Sequence, residues 1–254
     1  MKAIFLGTGT SNGVPQIGCN CDICTSLNPK NKRYRSSLFI KSEDTKIIID
    51  TSPEFRLQCL RENISSLNAV ILTHSHADHL FGLDDIRAFT EITAKPMPVY
   101  TDSYTSQIIK NTFSYIFQDP INKSPLPKIN LVEIEHKKKI NINSIKIIPI
   151  EVKHGNLNIM SYKINDFLYC TDCNFIPQKS EEFFYNLDTL VIGALRYKSH
   201  HTHFNIEEAI KIVEKYKPKI TYFTHMTHHV EYDNLSGILP ENIKLAYDGL
   251  VLNL

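Results

Sequence analysis

The sequence predicts an α/β (α+β) fold, a four-layer αββα sandwich formed by one domain over residues 1–254. Three observations lead there. Short β-prone apolar runs gather in two halves of the chain, and helical patterning follows each half. Several of those runs end in a polar, chemically versatile side chain, which is how open sheets carry their chemistry at strand tips. Finally, 42% hydrophobic content over 254 residues can fill a substantial core, with no linker, low-complexity segment or short-period repeat to divide it.

The first strand is expected over residues 2–6. Gly7, Gly9 and Gly13 follow it, but no Lys-Ser/Thr ends the run and no helix opens directly after it. They are read as tight turning of a first hairpin, not as a phosphate or dinucleotide loop. Strands over 37–40, 46–50 and 69–73 come next, then a helix from about Leu83. Residues 98–100 form another short strand, and Asp102 caps a helix running to Phe117. Pro120, Pro125 and Pro127 make 119–128 irregular, a connecting loop or lid. Residues 131–152 read as strands split at Lys137 to Lys139, a solvated hairpin more than a nucleic-acid contact. Apolar runs at 167–170 and 220–224 lead into polar tips. Helices are expected over 180–187 and 205–216, the second capped by Asn205 and closed by Pro218.

The strongest chemical signal is Thr73-His-Ser-His-Ala-Asp-His-Leu-Phe-Gly82, at the end of an apolar strand. Three imidazoles and a carboxylate inside six residues are hard to explain as packing, because buried polar groups need partners. A tight loop here can aim His74 and His76 at one metal, and Asp78 and His79 at a second. Imidazole with carboxylate suits zinc, manganese or iron. His154, Asp172 and His225 each sit at the tip of another short apolar run and are candidates for the missing ligands. Asp50, at a strand end before Pro53, is either a cap for a helix starting near Glu54 or a support for the ligand loop.

A second metal signal lies at Cys19-Asn-Cys-Asp-Ile-Cys24. Its spacing is too tight for a disulfide framework and fits a metal knuckle lacking one ligand. His228 is the preferred fourth ligand and His229 the alternative. Cys170 and Cys173 flank Asp172 but read as small buried thiols, not a redox pair.

In order and spacing these motifs resemble the metallo-β-lactamase-fold hydrolase superfamily over nearly the whole chain, with Asp50, the His74 to His79 cluster, His154, Asp172 and His225 matching its five motifs. The resemblance implies two divalent ions, zinc or manganese. His74, His76 and His154 would hold one, Asp78, His79 and His225 the other, with Asp172 bridging them. The cysteine knuckle paired with Thr-His-x-x-His is similar to the phosphoribosyl 1,2-cyclic phosphodiesterase (PhnP) branch, where it implies one structural zinc. In that branch a histidine just ahead of the 205–216 helix serves as general acid or phosphate contact. His203 matches that position best and His200 next. The activity implied is hydrolysis of a small cyclic phosphodiester such as a 5-phosphoribosyl 1,2-cyclic phosphate, by a hydroxide held on the metal pair, with Asp78, Asp172, His203 and His200 as the catalytic set.

Three rival functions remain. A tRNA 3′-processing endonuclease would need an RNA-grasping arm and a basic surface, whereas 28 basic residues against 27 acidic ones make nucleic acid an unfavoured partner. A β-lactam or thioester hydrolase leaves the knuckle and the 200–205 segment without a role. A non-hydrolytic accessory protein like PqqB shares the knuckle, but the complete ligand set argues for retained hydrolysis. The expected partner is therefore a small phosphodiester, with no membrane. A cytoplasmic setting is expected from the reduced, metal-ready thiols and the absence of a signal-peptide pattern. The apolar segment with Ile108, Ile109, Phe113, Tyr115, Ile116 and Phe117 is expected in the core, with a homodimer face as the alternative.

Overall fold

The computed structural model describes residues 1–118 and 126–254. Most of the expected irregular stretch over 119–128 thus lies outside the described residues, and 126–128 carry no regular structure. In chain order the strands are β1 (Lys2–Gly7), β2 (Ser37–Lys41), β3 (Lys46–Ile49), β4 (Ala69–Ile71), β5 (Met97–Thr101), β6 (Ile129–Glu133) and β7 (Ile140–Ile142). They continue with β8 (Ile145–His154), β9 (Leu157–Ile164), β10 (Phe167–Cys170), β11 (Thr189–Gly193), β12 (Ile220–Thr224), β13 (Ile243–Leu245) and β14 (Val251–Asn253). One sheet has the order β14-β1-β2-β3-β4-β5-β6, the other β13-β12-β11-β10-β9-β8-β7. Most strands that end near the chemistry run parallel to a neighbour, β3 with β4, and β10 and β12 each with β11, while β8, which ends at His154, is antiparallel to β7 and β9.

Period-two alternation sorts the side chains into three apolar layers. Ile47 and Ile49 of β3, Ala69 and Ile71 of β4, and Ile145 and Ile147 of β8 meet between the two sheets, with Phe5, Tyr162 and Val191. Their neighbours Ile48 and Val70 point outward, under a helical layer that includes Leu80, Leu83, Ile109 and Phe113. On the other side, Ile150, Val152, Leu190 and Ile192 pack beneath Ala209 and Val213 of helix Ile206–Tyr216. Helix, sheet, sheet, helix is the expected αββα sandwich.

Differences from expectation have physical reasons. β11 reads as a continuous apolar run because every residue in it is buried; without alternation, such a run cannot be told from a helical segment. β9 is interrupted by the buried Ser161, which hides its period. β13 and β14 are three residues each, too short to carry a pattern. The helix after Asp102 ends at Thr112 and tightens into a 3₁₀ turn, Ser114–Ile116. Its Ile109 and Phe113 are buried, so this segment belongs to the core, while Tyr115 and Phe117 are about 40% exposed. The expected 180–187 helix is one turn, Gln178–Glu181, followed by the 3₁₀ turn Glu182–Phe184. Gly7 and Gly9 do not turn a hairpin: a Cβ on Gly7 would overlap the Arg35 carbonyl, and one on Gly9 would lie 2.9 Å from the Arg33 carbonyl. They permit backbone approach instead.

Candidate metal centre

Asp50, Asp172 and His225 follow β3, β10 and β12, and each has a left-handed backbone, with φ of 66°, 55° and 59°. Residues with a Cβ adopt this region at a cost of roughly 1–3 kcal/mol. At three strand tips it turns each side chain sideways into one gap between the sheets. The ligand-rich motif after β4 turns on the short helix Ala77–Leu80, so the tight loop expected there is a single helical turn. Thr51 N–H donates to the His79 carbonyl at 2.8 Å and Gly82 N–H to the Thr51 carbonyl at 2.9 Å, binding this turn to the Asp50 loop.

The expected residues come together as two adjoining groups. His74, His76 and His154 form one; Asp78, His79, Asp172 and His225 form the other, with ligand atoms in each group within 4.8 Å of one another. Asp172 faces both. Its Oδ2 lies 4.0 Å from His74 Nε2 and 3.3 Å from His79 Nε2, while Oδ1 lies 3.1 Å from His225 Nδ1. All but His76 are buried.

Hydrogen bonds behind the rings orient them. His79 Nδ1–H donates to Asp50 Oδ2 at 2.7 Å, and His154 Nδ1–H to the Thr202 carbonyl at 2.8 Å. Thr73 Oγ1 donates to Asp50, leaving its oxygen to accept from His74 Nδ1–H at 2.9 Å. Ser36 Oγ likewise donates to the Gly9 carbonyl and accepts from His225 Nδ1–H at 3.0 Å. Asp50 therefore supports the ligand loop and does not cap the helix Phe55–Arg61, whose N-cap Glu54 makes no side-chain cap. Ser36 and the Thr202 carbonyl carry no motif, and a single sequence offers no signal for them.

This leaves Nε2 of His74 and of His79 buried without a hydrogen-bond partner. Each such orphan ordinarily costs about 1–3 kcal/mol. A cation shared with the carboxylates would satisfy both, so the donor set fits a pair of divalent ions. The electrostatics agree. Burial opposes charge on His79, yet Asp172, Asp78 and Asp50 outweigh it and draw a proton to the ring, raising it well above the usual histidine range. Asp172 is held well below the usual carboxylate range: burial opposes its charge, but His225 and His79 prevail. This is a cation-seeking cavity.

His203 lies against the same cluster, its Nδ1 4.0 Å from Asp172 Oδ2, its ring 4.6 Å from His154 and stacked on His225 at 4.9 Å. Burial lowers it to about 3 despite the pull of Asp172. The His200 ring lies 5.2 Å from His203, stacks on His201 at 4.5 Å and meets Thr202 Oγ1 at 3.1 Å.

The second expected centre also assembles. Cys19, Cys21 and Cys24 place their Sγ atoms 3.2, 3.5 and 3.4 Å from His228 Nδ1. His229 instead pairs with Thr227 Oγ1 at 3.2 Å and is exposed. Cys21 caps the short helix Asp22–Thr25, and the Cys24 N–H at its sulfur is the main cause lowering its thiol to about 6, a thiolate suited to a metal. The fully buried Arg33 clamps this loop by donating to the carbonyls of Thr227 and Val230 at 3.1 and 2.9 Å, on either side of His228. Its role was invisible in the sequence.

Residues 45–226 match the model of the beta-lactamase superfamily domain. The chain belongs to this superfamily. Within the metallo-β-lactamase fold it is similar over its whole length to the crystal structure of a diphosphatase from the PhnP family, with 38% identity, a TM-score of 0.92, and 100% of this chain and 97% of that one covered. Zinc-bound PqqB from Methylobacterium extorquens shares the fold at 16% identity and a TM-score of 0.80, covering all of both chains. An octanoyltransferase of Porphyromonas gingivalis is 37% identical over 254 residues, which is 98% of this chain and 51% of that protein. The chain thus spans about half the length of this curated relative. Among the described residues, no helix of this superfamily member is long and apolar enough to cross a membrane.

Proposed function

We propose that the protein is a metal-dependent phosphodiesterase acting on a small phosphorylated molecule, with a cyclic diester such as 5-phosphoribosyl 1,2-cyclic phosphate as its substrate. The observation that carries this reading is Asp172, whose two oxygens face nitrogens of both histidine groups. His74, His76 and His154 would hold one ion, Asp78, His79 and His225 the other, with Asp172 between them. Divalent ions there would offset charge on the phosphoryl oxygens and lower the pKa of water.

The chain's own residues set up the rest. Asp50 and Thr73 hold the Nδ1 protons of His79 and His74, so these two rings present Nε2 to the ligand side. Ser36 and the Thr202 carbonyl steady Nδ1 of His225 and His154. His203, neutral and in contact with the cluster, would take up a proton from solvent when an anionic phosphate raises its basicity. It would then be placed to pass that proton to the departing sugar oxygen and return to the neutral ring. His200 is too far out for that role and would support His203. Cys19, Cys21, Cys24 and His228 would hold a structural zinc. Similarity to a PhnP-family diphosphatase supports attack at a phosphorus bearing two substituents.

The test is turnover by protein reconstituted with manganese, and separately with zinc, on 5-phosphoribosyl 1,2-cyclic phosphate, bis(p-nitrophenyl) phosphate and p-nitrophenyl phosphate. Hydrolysis of the cyclic diester with the monoester inert is the expected result. Turnover of the generic diester alone would discard the sugar assignment. Inactivity on all three with metals bound would remove the phosphodiesterase.

A further inference from the structure

Three segments of the chain meet at Asn174. Its Oδ1 accepts the Gly155 N–H at 2.7 Å, and its Nδ2 donates to the His201 carbonyl at 3.0 Å. Its backbone N–H donates to the Lys153 carbonyl at 2.9 Å. Asn174 lies two residues after Asp172, Gly155 directly follows His154, and His201 lies two residues before His203. One amide therefore ties the turns of two candidate metal ligands to the loop that carries the candidate proton donor. Its direction is fixed, because turning it over would set oxygen against carbonyl and N–H against N–H.

The loop sits tightly on the turn after His154. Gly155 has a φ of 59°, and a Cβ there would stand 2.9 Å from Thr202 Cγ2. The Thr202 carbonyl accepts His154 Nδ1–H at 2.8 Å. At the neck of the loop, Phe204 N–H donates to the Cys173 carbonyl at 2.8 Å and Leu195 N–H to the Phe204 carbonyl at 3.0 Å. His203 lies between these neck bonds and the Asn174 tie at His201. Its ring is 4.6 Å from His154 and its Nδ1 4.0 Å from Asp172 Oδ2, yet that nitrogen is buried without a hydrogen-bond partner among the described residues. The place of Nδ1 is thus inherited from the backbone on either side.

We infer that Asn174 is a positioning residue: it seats the loop against the turn after His154 and so sets where the His203 ring stands beside Asp172. A short amide offers one acceptor and one donor in fixed opposition, whereas alanine supplies neither and aspartate lacks the donor. The consequence for His203 rests on the phosphodiesterase reading above. The seating of the loop rests on the contacts alone.

The experiment uses Asn174→Ala, with Asn174→Asp as a variant of the same size, in two arms. The first compares two diesters. The sugar oxygen of 5-phosphoribosyl 1,2-cyclic phosphate needs a proton to depart, whereas the nitrophenolate of bis(p-nitrophenyl) phosphate leaves without one. Asn174→Ala should lower kcat on the cyclic diester by about 10- to 100-fold with little change in KM, and should lower kcat on the nitrophenyl diester far less. In a His203→Ala background the same substitution should add almost nothing to the loss on the cyclic diester, because both changes remove one function. Equal losses on the two diesters, or full additivity with His203→Ala, would overturn the inference while leaving the phosphodiesterase standing.

The second arm needs no turnover. Trypsin can cut after the exposed Lys198 inside the loop, at a rate that follows how often the loop lifts. Loss of the Asn174 tie should speed that cut by about 3- to 10-fold while circular dichroism stays native. Faster cleavage would uphold the seating of the loop even if the wild type hydrolysed neither diester. An unchanged rate in both variants would overturn it.

Discussion

Asp50 Oδ2 lies 2.7 Å from His79 Nδ1, with both side chains fully buried. The same carboxylate accepts the backbone N–H and the hydroxyl of Thr73, at 2.7 and 2.9 Å. One strand-tip aspartate therefore fixes the tautomer of a candidate ligand and the start of the loop that carries it.

Asp50→Asn should keep the shape and tolerate the left-handed backbone, since asparagine enters that region more easily than most residues. It cannot accept all three donors. Metal affinity at the His79 group should weaken by about 10- to 100-fold, measured by competition with a chelator of known affinity. Unchanged affinity would reduce Asp50 to a packing residue.

Asp172→Asn should depress turnover by on the order of 10²- to 10³-fold while circular dichroism stays native. The substitution removes the charge that faces both histidine groups. Near-wild-type turnover would contradict a paired-metal site.

Cys21→Ser should release one zinc per chain and lower the melting temperature, because metal held by the folded state alone contributes directly to folding. Elemental analysis of the purified variant supplies the readout. Retention of all metal would remove the knuckle as a binding site.

Asp248 accepts from Thr8 Oγ1 and from Tyr34 N–H, at 2.8 and 2.7 Å, yet burial pushes its carboxyl up to about 6. The folded chain then holds this proton where the unfolded chain, near 3.8, has released it. Its contribution to stability is present below about pH 4 and declines as pH rises to about 6, by up to about 3 kcal/mol. Asp248→Asn should lack that slope. In urea unfolding at pH 4 and pH 7, the stability of the variant relative to wild type should improve at the higher pH; parallel changes would refute the assignment.

The cluster from His74 to His79 was legible because its spacing is local, and the strand-tip residues His154, Asp172 and His225 were legible because each ends an apolar run. Asn205 was legible as well: its side chain accepts Glu208 N–H in a capping box. What the chain did not disclose were partners far apart in sequence. Ser36 behind His225, Thr202 behind His154 and Arg33 behind His228 are ordinary residue types whose meaning comes only from tertiary contact. The left-handed turns at Asp50, Asp172 and His225 were equally hidden, since local propensity disfavours them and the surrounding fold imposes them. Choosing between His228 and His229 beside the thiols needed ring positions.

His225 and His228 stand three residues apart, one facing the cluster around Asp172 and the other facing the three thiols. With metals bound as proposed, chelation would for that reason perturb two sites at once. A chelator strong enough to strip the carboxylate-rich site also pulls at the anchor of the loop that presents His225. Turnover regained on adding manganese alone would measure how well that loop keeps its shape without its thiolate anchor, and the further gain on adding one equivalent of zinc would measure what the anchor supplies.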